Sequence, residues 1–176
     1  APGGASGIGW RFSFERSIQS ESGGSQTVVL QDGSRYYFYA TGGQFANTYR
    51  PGLRLRSIST DPAEYEFTDL DDRVDRFRSL NDRLVLVSST FRGGYVQNYL
   101  YDSSNRLTSI VDSFGHTITI EWSGALVSSI RNAVAVARYT YSTNSVISGI
   151  ALPKTERLIK VVVSALDGTE ARANDY

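Results

Sequence analysis

Apolar and polar positions alternate along much of the chain, and the clearest run is Trp10–Ile18. A period of two places successive side chains on opposite faces of a β-strand. This run therefore predicts one strand with an apolar face and a polar face. The residues of its apolar face are Trp10, Phe12, Phe14, Arg16 and Ile18.

Further strands are predicted on both sides of short turn signals. Asp32-Gly33 predicts a type I′ hairpin, because both residues tolerate positive φ. Asp69–Arg76 has no apolar stripe at helical spacing and is predicted to be a polar loop. The other predicted strands are 27–30 and 35–39 around that hairpin, 53–56 and 64–68 around Asp61-Pro62, 117–122, and 158–165 before Asp167-Gly168.

A spacing of about 20 residues recurs in the second half of the chain. Leu86-Val87-Ser88-Ser89 and Leu126-Val127-Ser128-Ser129 are identical, with related blocks at 106–110 and 146–150. Turn-forming residues precede each block. We expect an all-β fold in which antiparallel hairpin repeats of about 20 residues form a curved or spiralling sheet, because stacked hairpins bury a core that one hairpin cannot.

The segment from Tyr99 to Ile118 resembles the tyrosine–aspartate (YD) repeat of Rhs (rearrangement hotspot) proteins. Gly7–Ile18 and Leu30–Phe38 are similar to segments that precede those repeats. Only Tyr101-Asp102 retains the Tyr-Asp dipeptide that gives the repeat its name, so the other units are degenerate. The residues expected to define the repeat are Tyr101, Asp102, Asn105, Arg106, Leu107, Ile110, Gly115, Ile130 and Ile150.

The resemblance implies a structural role. Rhs arrays form a β-sheet shell that encloses a toxin or other cargo in exported bacterial proteins. We expect a β region at 1–80, YD-like hairpins at 81–150 and a degenerate repeat or terminal hairpin at 151–176, within one continuous β domain. The chain does not begin with Met, so it is expected to be a wall segment from a larger, secreted or cell-surface protein. Its partners would be the rest of that protein, or another copy, through open strand edges.

Composition excludes several other functions. The 176 residues include no Cys and one His, with 18 basic and 18 acidic residues. Thiol chemistry and multi-histidine metal sites are therefore absent. A formal net charge of zero produces no long-range electrostatic field that would attract nucleic acid or an anionic membrane surface. No apolar run is long enough for a membrane helix.

The individual residues that could catalyse a reaction or bind a metal ion or phosphate are weak candidates. His116 has no motif that supplies a nucleophile. The carboxylates Asp69, Asp71, Asp72 and Asp75 could suggest calcium, but interleaved arginines favour a solvated cluster of ion pairs. The Gly-rich segment 3–9 lacks the Lys-Ser/Thr ending of a phosphate loop. We expect no catalytic residue, metal or cofactor.

The main alternative is a surface adhesion or carbohydrate-binding module. The chain has 11 Tyr, 8 Phe and 2 Trp, which could form an exposed platform for sugar rings. Their alternation with polar residues favours a core face instead. A small hydrolase is a third hypothesis, and it would need a polar cleft.

Overall fold

The computed structural model describes residues 11–142, 146–147, 150–151 and 157–175. Apart from a single 3-10 turn at Ser22–Gly24, its regular elements are strands. They are β1 (Ser17–Ser20), β2 (Gln26–Val29), β3 (Arg35–Thr41), β4 (Gln44–Ala46), β5 (Arg54–Thr60), β6 (Ala63–Thr68), β7 (Val74–Leu80), β8 (Arg83–Thr90), β9 (Val96–Tyr101), β10 (Leu107–Asp112), β11 (Thr117–Ser123), β12 (Leu126–Arg131), β13 (Ala135–Ser142), β14 (Val146–Ile147), β15 (Ile150–Ala151), β16 (Arg157–Ala165) and β17 (Glu170–Asp175).

The chain divides into two compact units. The central unit is Ser13–Gly115 and contains β1 to β10, whereas the terminal unit combines Ala1–Phe12 with His116–Tyr176. Strand pairing within both units is antiparallel. The prediction of an all-β fold built from antiparallel hairpins is confirmed.

Strand β8 is the branch point of the central unit. Strands β5 to β10 form a meander in which each strand pairs with the next. Strand β8 also pairs with β1 through Ser17 and Val85, and β1 leads through β2 and β3 to β4. Two branches of sheet therefore diverge from one strand.

The core of the central unit lies between these two branches. Phe38 of β3 and Phe67 of β6 are completely buried, and their ring centroids are 6.1 Å apart in an edge-to-face arrangement. Phe45 of β4 packs on Tyr65 of β6 with a 5.8 Å centroid distance. Each buried Phe contributes roughly 1.5–3 kcal/mol by leaving water. Facing aromatic pairs thus hold β3 and β4 against β6.

The strands of the terminal unit are antiparallel and lie in the order β11-β12-β13-β16-β17, and β14 pairs with β15 separately. Its buried apolar residues are aliphatic, and two serines, Ser129 and Ser164, are buried among the described residues as well. The buried aliphatic residues are Val127, Ile120, Leu158, Val136 and Leu126.

Several local predictions need correction. The N-terminal strand is confined to Ser17–Ser20, because Ser13 and Phe14 form a turn; Trp10 lies outside the described residues. Of the remaining residues of the predicted apolar face, Arg16 and Ile18 are buried, whereas Phe12 and Phe14 are only half-buried. The polar loop predicted at Asp69–Arg76 is wrong beyond Arg73, where β7 begins at Val74.

One turn geometry recurs across both units. The first residue donates its N–H to the carbonyl of the fifth, and the fourth donates to the carbonyl of the first. The fourth residue has positive φ, as in hairpin loops where a left-handed residue follows a tight turn. These segments are Leu30–Ser34, Asp69–Arg73, Phe91–Tyr95, Asp102–Arg106 and Ala165–Thr169.

The turn at Asp32-Gly33 therefore differs from the predicted type I′ form. Only Gly33, at φ 85°, is left-handed there. The pair that a type I′ turn requires is found instead at Asn81-Asp82, with φ 47° and 61°, between β7 and β8.

Two turns place a residue other than Gly in the left-handed fourth position. Asp72 and Asn105 both have φ 59°. Within the described residues the Asp72 carboxylate has no hydrogen-bond or ion-pair partner, whereas Asn105 Nδ2 donates to Leu80 O at 2.8 Å and Asn105 Oδ1 accepts from Asn81 at 3.1 Å. The same backbone strain is therefore compensated at only one of the two positions.

We predict opposite effects of glycine at these positions. Asp72→Gly should raise the free energy of unfolding by about 0.5–1 kcal/mol, because left-handed backbone penalises a Cβ. Asn105→Gly should lower it by about 1 kcal/mol through lost hydrogen bonds. Urea denaturation of the full chain measures both. A change of the same sign in both variants would contradict this account.

Candidate functional site

A buried carboxylate, Asp75, is the most constrained polar group of the central unit. Its side chain is 0% exposed. Arg16 Nη1 lies 2.5 Å from Asp75 Oδ2, while Arg73 Nε and Ser89 Oγ donate to Oδ1 at 2.8 and 2.6 Å. An unpaired charge at this depth would be very costly, so these three donors are what allows Asp75 to be buried.

Each partner of Asp75 comes from a different element. Ser89 is the antiparallel register partner of Asp75 across β7 and β8. Arg73 ends the turn before β7, and Arg16 directly precedes β1. Asp69 lies 3.7 Å from Arg16, so two arginines face two carboxylates and the cluster is neutral. We call Arg16, Asp69, Arg73, Asp75 and Ser89 the Asp75 cluster.

Aromatic and amide groups extend the cluster towards β9. Tyr99 OH lies 3.3 Å from Ser89 Oγ and donates to Gln97 Oε1 at 3.1 Å. Burial raises the pKa of Tyr99, so its hydroxyl remains a donor. The Arg73 guanidinium lies 4.6 Å from the centroid of the Phe91 ring, which is a cation–π distance.

Two kinds of cross-strand hydrogen bond occur in both units. Ser129, which is buried, donates to Glu121 Oε2 at 2.7 Å, and these residues are register partners like Ser89 and Asp75. Tyr101 OH donates to Leu86 O at 2.8 Å. Tyr141 OH donates to Val127 O at the same distance. The serine and tyrosine donors are thus 40 residues apart, whereas the acceptors are 41 residues apart for the tyrosines and 46 for the serines, so the bonds are similar in kind but not identical in position.

The predicted repeat residues Tyr101 to Leu107 surround one turn. Asp102 Oδ1 accepts the N–H groups of Ser104 and Arg106 at 2.9 Å, and Arg106 Nε donates to Oδ2 at 2.8 Å. The backbone N–H of Arg106 is the main cause that lowers the pKa of Asp102. Desolvation raises the pKa of Tyr101 and keeps it protonated for its bond to Leu86.

The other predicted repeat residues are spread over both units. Leu107 and Ile110 are buried in β10. Gly115 has φ 84° in the turn after β10, and Ile130 is half-buried in β12. Ile150 belongs to β15, and its side chain lies outside the described residues. The residues thus form a series of turns and core positions rather than one pocket.

A second ionic group lies on the face of β6 and β7. Glu64 is 6% exposed in its side chain, and Arg76 and Arg78 lie 2.5 Å from its two oxygens. Hydrogen bonds from Arg76 and then Arg78 lower the pKa of Glu64. Both arginines are almost half exposed, so the group is at the rim of the core.

Sequence reasoning missed Asp75 as a buried site. The solvated cluster expected at Asp69–Asp75 does pair Asp75 with Arg73, but Asp75 is buried in a strand and not solvated. The signal was the alternation of Asp75 and Phe77 with Arg76 and Arg78, which marks Asp75 as inward-facing.

His116 and the Gly-rich segment are the remaining candidates for chemistry. His116 is exposed. In the part of the chain that the structure describes, no three His, Asp or Glu side chains form a group that could hold a metal ion. Nor do the described residues include a helix long and apolar enough to cross a membrane. The Gly-rich segment 3–9 lies outside the described residues.

Comparison with known proteins leaves the family unassigned, because neither protein-family models nor curated protein sequences match this chain.

We predict strong energetic coupling between Arg16 and Asp75. Asp75→Leu or Arg16→Met alone should cost about 3 kcal/mol of unfolding free energy, because each removes the nearest counter-charge of a buried ion, although Asp75 keeps Arg73 and Arg16 keeps the more distant Asp69. The double variant should lose clearly less than the sum of the two. Urea denaturation of all four proteins completes the cycle. Additive losses would show that the pair does not act as a unit.

We also predict that Glu64 makes stability depend on pH. Its pKa is lower in the folded chain than the ordinary value of 4.5, so its contribution is complete above that pH. The contribution disappears as the pH falls through the lowered pKa. The midpoint of thermal unfolding of Glu64→Gln should therefore differ from that of the parent at pH 7, and this difference should shrink as the pH is lowered below 4.5. A constant difference across this range would contradict the assignment.

Proposed function

We propose that this chain is a non-enzymatic structural segment of an Rhs-type β-shell, which encloses or presents a toxin or other cargo in an exported bacterial protein. The observation that carries the proposal is that serine and tyrosine donors two periods apart form similar cross-strand bonds. The pairs are Ser89 with Asp75 and Ser129 with Glu121, together with the tyrosine bonds of Tyr101 and Tyr141.

The chemistry of the buried polar groups supports the same role. Asp75 directs both carboxylate oxygens to donors inside the cluster, and Glu64 does the same at its own site. Groups engaged in this way hold strands together and are poorly suited to act as a general base. Under the proposal, the shell continues through neighbouring repeats of a longer chain or through another copy at the strand edges.

A carbohydrate-binding module is the second candidate, and one patch favours it. Tyr37, Tyr39 and Tyr49 are 45%, 38% and 87% exposed. The rings of Tyr37 and Tyr39 are 5.2 Å apart at 83°, and Thr48 Oγ1 donates to Tyr39 OH at 3.0 Å. Exposed rings beside fixed hydroxyls could contact sugar rings.

The gene on both sides of this segment tests the shell proposal. We expect further hairpin units of about 20 residues with Tyr-Asp dipeptides, followed by an unrelated domain. In the full-length protein, that domain should resist limited proteolysis until the repeats are unfolded. A gene without further repeats, or a downstream domain cleaved as fast as when it is produced alone, would overturn the proposal.

Ligand and activity screens separate the alternatives. Turnover of an ester, glycoside or peptide by the purified chain would contradict a non-enzymatic role. Binding to a glycan panel that is lost in Tyr37→Ala, and retained in the matched control Phe114→Ala, would favour the carbohydrate-binding module instead.

A further inference from the structure

Strand β17 is the exposed edge of the terminal unit. Among the residues that the structure describes, β17 pairs only with β16, and no other strand of the unit packs along its outer edge. Five of the six residues of Glu170–Asp175 are exposed, and Asn174 is half-buried. The outer edge of β17 therefore presents unpaired N–H and C=O groups to solvent, and another strand can pair with these groups.

The neighbouring strand β16 is also incompletely covered. Val161, Val162 and Val163 follow one another in β16, so their side chains point alternately to the two faces of the sheet, and all three are only half-buried. Ile159 is 37% exposed, and Leu166 in the turn after β16 is 58% exposed. The last hairpin thus combines an open edge with apolar side chains on both faces, and a strand added at the edge would cover part of this apolar surface.

The second half of β17 is a regular strand with two distinct faces. A β-bulge lies near the turn, and from Arg172 to Asp175 the strand pairs with β16 residue by residue. Arg172 and Asn174 therefore lie on one face, where Arg172 Nε donates to Asn174 Oδ1 at 3.2 Å. Ala173 and Asp175 lie on the other face, and Asp175 is 3.8 Å from Lys160 of β16. This alternation determines which side chains would meet those of an added strand.

A second copy of β17 fits this pattern in an antiparallel register centred on Ala173. A twofold axis there would place Arg172 of each copy opposite Asn174 of the other, with no like charges facing each other. An axis at Arg172 or Asp175 would place like charges opposite each other, and an axis at Asn174 would leave Arg172 without a facing residue in β17. The chain has a formal net charge of zero, so two copies do not repel each other at long range.

We propose that two copies of this chain associate by antiparallel pairing of β17 with β17, so that the strands of the terminal unit continue from one copy into the other. Backbone hydrogen bonds supply the affinity, and the facing Arg172 and Asn174 side chains define the register. The inference deepens the shell proposal, on which its role in a wall rests, by naming one edge and one partner. The pairing itself depends only on the hairpin of β16 and β17.

A single introduced cysteine tests the register, because the chain has no Cys of its own. Directly opposite Cα atoms of antiparallel strands lie about 4.5–5.5 Å apart, which is within the range that a disulfide spans. Ala173→Cys in the full chain should therefore give a disulfide-linked dimer under mild oxidation. Ser104→Cys, an exposed substitution in the turn after β9, is the matched control and should cross-link at least tenfold more slowly.

Charge variants test the same pairing without a covalent bond. Sedimentation equilibrium of the full chain should show reversible formation of a dimer. Asn174→Arg should weaken dimerisation at least tenfold, because arginines then face each other in both pairs across the axis. The double variant Arg172→Glu/Asn174→Arg should restore dimerisation, because each facing pair then carries opposite charges. Circular dichroism of each variant checks that the strands are retained.

Three results would overturn the proposal. They are a chain that stays monomeric at millimolar concentration, dimerisation that Asn174→Arg leaves unchanged, and equal cross-linking of the two Cys variants. A monomeric chain would leave the shell proposal standing wherever the gene encodes further repeats, because a strand of those repeats could cover the edge. Conversely, a dimer through β17 in a chain whose gene lacks further repeats would overturn the shell proposal alone.

Discussion

The burial of Asp75 is the constraint on which the central unit depends. A carboxylate with no exposed surface must be neutralised, and the chain does so with one arginine from beside β1 and another from the turn before β7. Arg16 therefore forms an ion pair with Asp75, which is 59 residues away in the sequence. This ion pair links the two branches of sheet that diverge from β8, whereas Phe38 and Phe67 fill the space between them. The apolar core provides burial, and the ion pair specifies which segments meet.

A common turn geometry explains how so many strands follow one another with short connections. The left-handed fourth residue lets each hairpin reverse within five residues, and a side-chain acceptor at the first position, as in Asp69 and Asp102, satisfies the exposed amides. Asp69 and Asp102 both accept hydrogen bonds from backbone amides of their turns, although only Asp102 belongs to the motif that resembles the Rhs repeat. The hairpin geometry thus extends upstream of the region where the sequence repeat is recognisable.

Much of this fold follows from the sequence, because alternation and turn residues are local signals. The hairpins around Asp61-Pro62 and before Asp167-Gly168 are examples. The Asp75 cluster was not foreseen, because its members are far apart in sequence and charged residues close together suggested solvent exposure. Arg16 lies on the predicted apolar face, so the alternating pattern indicates that Arg16 is buried. The pattern does not indicate that Asp75 is its partner.

The branch at β8 has a consequence for the order of folding. Hairpins β5 to β8 join neighbours in sequence and close short loops, whereas the contact of Ser17 with Val85 closes a much longer one. Closing a longer loop costs more chain entropy. The pairing of β1 with β8 can offset this cost only after β8 has formed. The meander should therefore form first and act as a template. Strand β1 then pairs late, and its pairing brings Arg16 to Asp75, whose strand has already formed.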